Sequence, residues 1–585
     1  MCYCISVVRS GRYQSVALLS GAGRPQAQTF SSSAEATADT GQRQYRRSPL
    51  DVIMNQIRRK RSDRRPLGRF LSWASDRTVI KEDENEKKVQ NPEAADGEHE
   101  LGWGRVRAFL HKLGSEAQRG RINLSHCDLT ATDLLELGTL LHYVPLLEDL
   151  DLSWNDLIGG SLRALTSHLH HMNCLSALKL NGCRLNHQDI CALGEALRLL
   201  PSVEVLDLSW NGALGGGGFQ GLVGKLQPSL TELHLVSCEL TAADGSSLGE
   251  TLSSLPCLSV LDLSCNPKFT DGVRDMSSAL SKTTALRTLR LQGVGLDHHS
   301  LQALGEALQF VPSLRLLDLS CNKGLSGHLS LLSSHLSHLT LLESLDLHLS
   351  KLTCSDVQAL VQVLPSLISL TELNLSSNQE LGQTVHALIP ALPLTHMRNL
   401  PLDNCHLSHE SYTALVVAVP YLRCVDLSWC KVVGGRLSLL LAVLQPSVIQ
   451  ELRLSSCDLT TDDIQHMASA CRDGFLSSLK VLDLSYNGSV GSKGWSSLLT
   501  SGGLDSLEEL DLSLRPFTSA SCSDWLPALL RALPRLTALR RLGLQRWTIG
   551  EKEKLQLDHS LKKRTVFLEM DTEETNQDKE IQSEE

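Results

Sequence analysis

Aromatic side chains make up only 4% of this 585-residue chain, so the place of each one carries information. No run of 18 apolar residues occurs, which excludes an ordinary transmembrane helix and predicts no membrane insertion. The net charge of −10 gives no overall basic footprint for nucleic acid. None of the 17 cysteines forms a Cys-x-x-Cys pair, so zinc ribbons and thioredoxin-type sites lack their minimum unit. The opening stretch makes a poor secretory signal, because Arg9 and Arg12 interrupt its apolar run. Residues 1–34 lack Asp and Glu and carry Arg and Ser, as transit peptides do. An unstructured tail accounts for that equally and is preferred.

Catalytic motifs fail one at a time. Gly215–Gly218 with Gly224-Lys225 invites a phosphate-loop reading, but Phe219 stands where the first Gly is required and Leu226 replaces Ser/Thr. His168, His170 and His171 cluster, yet no carboxylate or Cys at ligand spacing completes a metal site. No nucleophile elbow of the Gly-x-Ser-x-Gly type is expected. The prediction is a chain that is not an enzyme and needs no cofactor and no metal.

One pattern is abundant. Leu-x-x-Leu-x-Leu-x-x-Asn/Cys returns every 25–32 residues. Its second Leu-type position falls at Ile122, Leu150, Leu178, Leu206, Leu233, Leu261, Leu289, Leu317, Leu345, Leu373, Leu400, Val425, Leu452, Leu482, Leu510 and Leu542. Those 16 units read as a leucine-rich repeat solenoid, in which each unit buries its apolar face only against its neighbours. Such a stack presents one long surface and no deep cavity, so its default use is binding.

Within a unit the residues alternate across a short strand. In Leu147-Glu148-Asp149-Leu150-Asp151-Leu152-Ser153-Trp154-Asn155, Leu150 and Leu152 point inward while Asp151 and Ser153 point out. Asn155 is expected to turn in and pair backbone groups at the turn, so that successive Asn residues form a ladder. A helix follows. Leu193-Gly194-Glu195-Ala196-Leu197 recurs as Leu304-Gly305-Glu306-Ala307-Leu308, with Pro201 and Pro312 closing each helix. The predicted fold is an α/β horseshoe solenoid of about 16 repeats, with a parallel sheet on its concave face and helices on its convex face.

The units are of two alternating kinds. One ends in Asn and runs into glycines: Asn155 with Gly159-Gly160, and Asn211 with Gly215–Gly218. The other ends in Cys and continues Leu-Thr-x-x-Asp, as in Leu129-Thr130-Ala131-Thr132-Asp133 and Leu240-Thr241-Ala242-Ala243-Asp244. Thr as N-cap with Asp three residues on satisfies helix-start N–H groups and suits the dipole. The full period is therefore about 56 residues. This alternation resembles the ribonuclease-inhibitor class of leucine-rich repeats. The resemblance implies an α/β horseshoe that serves as a non-enzymatic scaffold, and that class binds its target along the concave face and C-terminal rim.

Cys127, Cys183, Cys238, Cys405 and Cys457 hold the last motif position, and Cys174, Cys257, Cys424 and Cys471 recur near the helix-to-strand turn. Slots repeated by the period are not paired bridges. A reduced cytoplasmic or nuclear protein is predicted. The pattern departs from itself at Cys430, which stands where Asn is due after Trp429, and the spacing there drops to 25. A kink near residues 400–460 is one expectation; a ladder that tolerates a weaker bond is the other.

Around the array, residues 1–100 read as disordered, with a basic segment 43–69 holding ten basic residues against two acidic ones. Trp103, Val106, Phe109, Leu110 and Leu113 suggest an N-terminal cap helix over 101–120. The array spans 121–550, a C-terminal cap 551–568 and an acidic tail 569–585.

Candidate binding residues follow from placement. Trp154, Trp210, Trp429 and Tyr486 share the position just before the turn residue, where a side chain either lies on the rim as an interface anchor or packs on the following Gly-Gly loop. The outward strand position runs Asp151, Lys179, Asp207, His234, Asp262, Arg290, Asp318, alternating acid and base on strands about 4.8 Å apart. Mutual neutralisation explains that alternation; a charge-patterned groove for a protein partner is the functional alternative. Lys179 falls between the first two aromatic units and Arg453 between the last two. The candidates are Trp154, Lys179, Trp210, Arg290, Trp429, Arg453 and Tyr486. The rival function is a nuclear one, in which segment 43–69 contacts nucleic acid or an import receptor.

Overall fold

The computed structural model describes residues 120–562 and 564–571. The expectations for residues 1–100, for the basic segment 43–69, for the helix over 101–119 and for residues 572–585 lie outside the described residues.

Ten strands of three residues open the structure: Arg121–Asn123, Asp149–Asp151, Ala177–Lys179, Val205–Asp207, Glu232–His234, Val260–Asp262, Thr288–Arg290, Leu316–Asp318, Ser344–Asp346 and Glu372–Asn374 (β1 to β10). They pair in parallel, in chain order. Register sets motif on motif: Ile122 faces Leu150, Leu150 faces Leu178, and Leu345 faces Leu373. Cys424–Asp426, Glu451–Arg453, Val481–Asp483 and Glu509–Asp511 (β11 to β14) begin a second sheet. It continues through Arg541–Gly543 (β16) and Phe567–Glu569 (β18). Ala520–Ser521 (β15) and Trp547–Thr548 (β17) form a small parallel pair of their own. Each of β1 to β13 is followed by helical turns, and the leucines between the layers are sealed: Leu150, Leu152, Leu178, Leu180, Leu206 and Leu208 have no exposed surface. The whole is an α/β solenoid.

The strands are short because the chain turns left-handed after each. The residue before the turn position has φ between +51° and +66° in fourteen successive units, from His126 to Tyr486. A left-handed residue cannot continue a strand. It still donates its N–H to the next unit, as Trp154 does to Asn181 O at 2.7 Å and Trp429 to Ser455 O at 2.7 Å. The following residue is thereby swung into the core.

That residue is Asn or Cys in twelve of these units and Val294 or Ser350 in the other two, so Asn alternates with a second residue instead of stacking on Asn, except where Cys405, Cys430 and Cys457 follow one another. Asn266 is fully buried and donates from Nδ2 to Leu235 O, Leu263 O and Ser264 O, while its Oδ1 accepts from Cys238 and Leu240 N–H. The Cys units make one such link, from Cys183 Sγ to Leu152 O at 3.3 Å and from Cys238 Sγ to Leu208 O at 3.3 Å. From Asn155 on, each Asn or Cys rung reaches back to a carbonyl of the preceding unit, so polar groups at those turns are satisfied by the neighbour. Cys430 fits the same scheme. Its sulfur lies 3.4 Å from Leu402 O and receives the N–H groups of Cys405 and Leu407, which is the weaker bond of the two expectations.

The two unit types are also locked together. Asp189 caps its own helix by accepting Asn186 N–H at 2.9 Å, and also accepts Gly160 N–H at 2.6 Å and Leu162 N–H at 3.0 Å from the unit before. Asp244 does this with Gly216 and Gly217, Asp356 with Gly327 and Leu329, and Asp463 with Gly435 and Leu437. Gly160 sits at φ +83°, and a Cβ on Gly159 would stand 2.1 Å from Arg184 O. One glycine permits close approach and the next the left-handed turn. Where Ser300 replaces the Asp, the unit before has no glycine pair and forms a helix at Thr270–Ser277 instead.

Strand pairing is interrupted at the unit centred on Leu400. Only isolated bridges, Glu372 to Asn399 and Asn399 to Cys424, span it. Pro401 has no N–H to give to the ladder. It still accepts from Leu375 N–H at 3.2 Å, so the unit is bound on both sides without forming a strand.

Candidate functional site

The left-handed positions line up along one edge of the sheet, and the four predicted aromatics occupy them. Trp154 and Trp210 belong to units two apart, yet their ring centroids are 6.0 Å apart. The unit between them has Gly182 in this position, and a Cβ there would come within 2.5 Å of the Trp154 ring. His126, one unit earlier, stacks on Trp154 at 5.8 Å with 9° between planes. The result is a continuous row, His126–Trp154–Trp210, with Trp210 44% exposed at its end. Trp429 and Tyr486 repeat the arrangement edge to face at 6.3 Å. Ser456 is the small residue between them. Arg515 reaches back two units to donate to Ser456 Oγ at 2.7 Å and lies 3.7 Å from Asp458, framing this second pair. Arg515 stands where the turn Asn or Cys is due, and the repeat pattern alone gives it no place on the rim. His126 was missed because only Trp and Tyr were weighed at the position before the turn residue, although its unit belongs to the period.

The charged candidates pair differently from a cross-strand ladder. Arg290 does reach Asp262 on the adjacent strand, at 3.7 Å. Lys179 also reaches the adjacent strand but takes the diagonal Asp149 at 3.3 Å and not the facing Asp151, while His234 and Arg453 bind Glu232 and Glu451 of their own strands at 3.2 and 2.8 Å. The aspartates are held by the backbone: Asp151, Asp207, Asp262, Asp318, Asp426, Asp483 and Asp511 each accept the N–H two residues on, at 2.9–3.1 Å. Asp-Leu-Ser therefore recurs because the Asp closes the strand end. Its signal lay in the sequence, in the Ser that follows nearly every such Asp.

Between Arg290 and Arg453 the sheet face carries Asp318, Asp346, Glu372, Asp403 and Asp426 with no Lys or Arg at an outward strand position. Burial, reinforced by Asp346, pushes the Asp318 carboxyl up to about 6. Burial and then Asp426 push Asp403 up to about 8. Glu372 is raised by burial and then by Asp346.

The discarded chemistry has physical counterparts. The N–H groups of Gly216 and Gly217, which would cradle a phosphate, are taken by Asp244. A Gly-x-Ser-x-Gly string does exist, Gly245-Ser246-Ser247-Leu248-Gly249, contrary to the sequence-based expectation. It lies inside the helix Ala242–Leu252, with Ser247 Oγ bound to Gln220 Oε1 at 2.6 Å, and makes no elbow. Among the described residues no group of three or more His, Cys, Asp or Glu could hold a metal ion, and no helix is long and apolar enough to cross a membrane.

Parallel three-residue strands, an Asn/Cys ladder and an open aromatic rim define a leucine-rich repeat protein. The Leucine Rich repeat family matches residues 145–161, 200–223 and 475–499. The chain belongs to the ribonuclease inhibitor-like leucine-rich repeat family: it is 30% identical to the ribonuclease inhibitor of Sus scrofa over 393 residues, covering 65% of this chain and 85% of that protein. The ribonuclease inhibitor of Mus musculus is 31% identical over 61% of this chain and 81% of its own length. NACHT, LRR and PYD domains-containing protein 12 of Homo sapiens is 31% identical over 52% of this chain, and only 29% of that larger protein is covered.

Proposed function

We propose that this chain is a non-enzymatic scaffold that binds a protein partner through the sheet face and its aromatic rim. The observation that carries the reading is the pair of aromatic contacts, Trp154 on Trp210 and Trp429 on Tyr486, built by small residues in the intervening units. Rigid, partly exposed aromatics at one edge are the side chains that anchor protein interfaces. Lys179 and Arg453 lie in the units between them and Arg290 on β7, three strands past that of Trp210, where charge governs orientation and association rate. Membership of a family that includes ribonuclease inhibitors supports a binding role. Inhibition of ribonuclease is not carried over, because it depends on particular contacts and not on the fold. The cytoplasm is the compartment proposed, since interior thiol slots need reducing conditions.

The test is capture of a partner by the full chain, followed by affinity measurement with Trp210→Ala and Arg290→Glu. Trp210→Ala is expected to weaken binding by about 2 kcal/mol without unfolding the array. Arg290→Glu is expected to change association rate and salt dependence more than dissociation. Unchanged binding with both, together with loss on removing residues 43–69, would move the function to the basic segment and to a nuclear role.

A further inference from the structure

The same left-handed row that carries the tryptophans carries a cysteine in the unit after β8. Cys321 has φ +59°. Its Sγ lies 3.5 Å from His348 Nε2. The other ring nitrogen, Nδ1, is 2.8 Å from Asp346 Oδ1, and the same oxygen accepts the His348 backbone N–H at 3.0 Å. Both donors of His348 thus converge on one carboxylate oxygen, which fixes the ring with Nε2 turned to the thiol. The two units are further tied by Cys321 N–H donating to His348 O at 2.9 Å. From the other side, the buried amide of Gln292 points Nε2 at the sulfur from 3.7 Å.

We propose that Cys321 is a reactive thiol, activated by His348 as base and by Asp346 as the positioning residue, and that it is a modification site for small cationic disulfides and soft electrophiles. This goes beyond the binding role and does not depend on it. The thiol proton passes from Sγ to Nε2, and Gln292 stabilises the thiolate left behind. The thiolate attacks one sulfur of a disulfide. The S–S bond of the reagent breaks, a mixed disulfide forms on Cys321, and the released thiolate takes up the imidazolium proton. No external oxidant is consumed beyond the disulfide itself.

The surroundings select the charge of the reagent. Asp346 on β9, Asp318 on β8 and Glu372 on β10 are the carboxylates around the pair, and the nearest cation on β7, Arg290, is turned to Asp262. Anionic disulfides are disfavoured there and aminothiol disulfides favoured. The adduct has no internal resolving partner in this row. Cys265 holds the equivalent position two strands away, about 9.6 Å along the sheet, beyond the ~4.4–6.8 Å Cα separation of a disulfide.

The experiment is competitive labelling of the folded full chain with limiting iodoacetamide at pH 7, read peptide by peptide. Cys174, Cys257 and Cys354 are exposed and serve as internal references. Cys321 is expected to react at least about tenfold faster than these three despite being less exposed. His348→Gln should bring it down to the reference rate and move the midpoint of its pH–rate profile upward. Asp346→Asn should shift that profile in the same direction by less. Cystamine should outpace glutathione disulfide by a larger ratio at Cys321 than at Cys174. The unaltered chain already decides the matter: a Cys321 no faster than Cys174 overturns the proposal, whether or not the variants fold. Fast labelling that His348→Gln leaves unchanged overturns the role of His348, and equal disulfide ratios at the two sites overturn the cationic preference.

Discussion

Trp154 and Trp210 touch because Gly182 stands between them: their centroids are 6.0 Å apart, and a Cβ on Gly182 would come 2.5 Å from the Trp154 ring. Gly182→Val should separate the rings. It should also cost about 1–2 kcal/mol, since Gly182 has φ +65°. Near-UV circular dichroism should lose the coupled tryptophan signal while far-UV intensity holds. An unaltered near-UV spectrum would mean that the two indoles are not coupled through this contact.

Asp244 serves two units at once, accepting from Thr241 N–H and from Gly216 and Gly217. Asp244→Ala should leave those three part-buried donors without this partner and destabilise the array by about 3 kcal/mol. Urea unfolding would report it as a lower midpoint. A loss no larger than that of a lone exposed N-cap, about 1 kcal/mol, would refute the coupling of the units.

Asn211 is fully buried and binds Leu180 O, Leu208 O and Ser209 O, whereas Asp207 makes its backbone bond from a half-buried position. Asn211→Ala should cost about 1–3 kcal/mol, and Asp207→Ala clearly less. Equal shifts in the melting curves would contradict this inward and outward assignment.

Asp318 and Asp403 hold their protons above the ordinary value of 3.8, to about 6 and about 8. The folded state therefore binds these protons more tightly than the unfolded one. Their contribution to stability is full below about pH 4 and is lost as pH rises through about 6 and then about 8. The melting temperature should fall across that window, and Asp403→Asn should flatten its upper part. A melting temperature that rises steadily from pH 5 to 8 in the parent chain would show that other groups dominate.

No disulfide links the fifteen described cysteines. Thiol titration in denaturant without reductant should approach all 17. In the folded chain Cys183 and Cys238 should react slowly, because burial pushes their thiols up to about 12. Several stable native disulfides would refute the reducing compartment.

The period exposed most of the architecture. Leu150 and Leu152 in the core, the Thr130 and Thr241 caps and the edge position of Trp154 and Trp210 all follow from alternation and spacing, which are local properties. What stayed hidden was contact between units. Whether Lys179 takes Asp149, Asp151 or Asp207 depends on side-chain reach, and all three carboxylates are within a strand or two. The meeting of Trp154 with Trp210 needs a small residue 28 positions on, and Gly182 gives no sign of that purpose by itself. The interrupted strand at Pro401 was written plainly, since proline has no N–H for a ladder. Cys321, His348 and Gln292 fall on three successive units, so no linear motif joins them.

The carboxylates of Asp189, Asp244, Asp356 and Asp463 each bind glycine N–H groups of the unit before, so neither unit type is complete alone. The heritable module of this architecture is consequently the couple of about 56 residues. Excising a single unit would set two of one kind side by side, a carboxylate facing no glycine or a glycine turn facing no carboxylate. Length in this lineage should change in even steps.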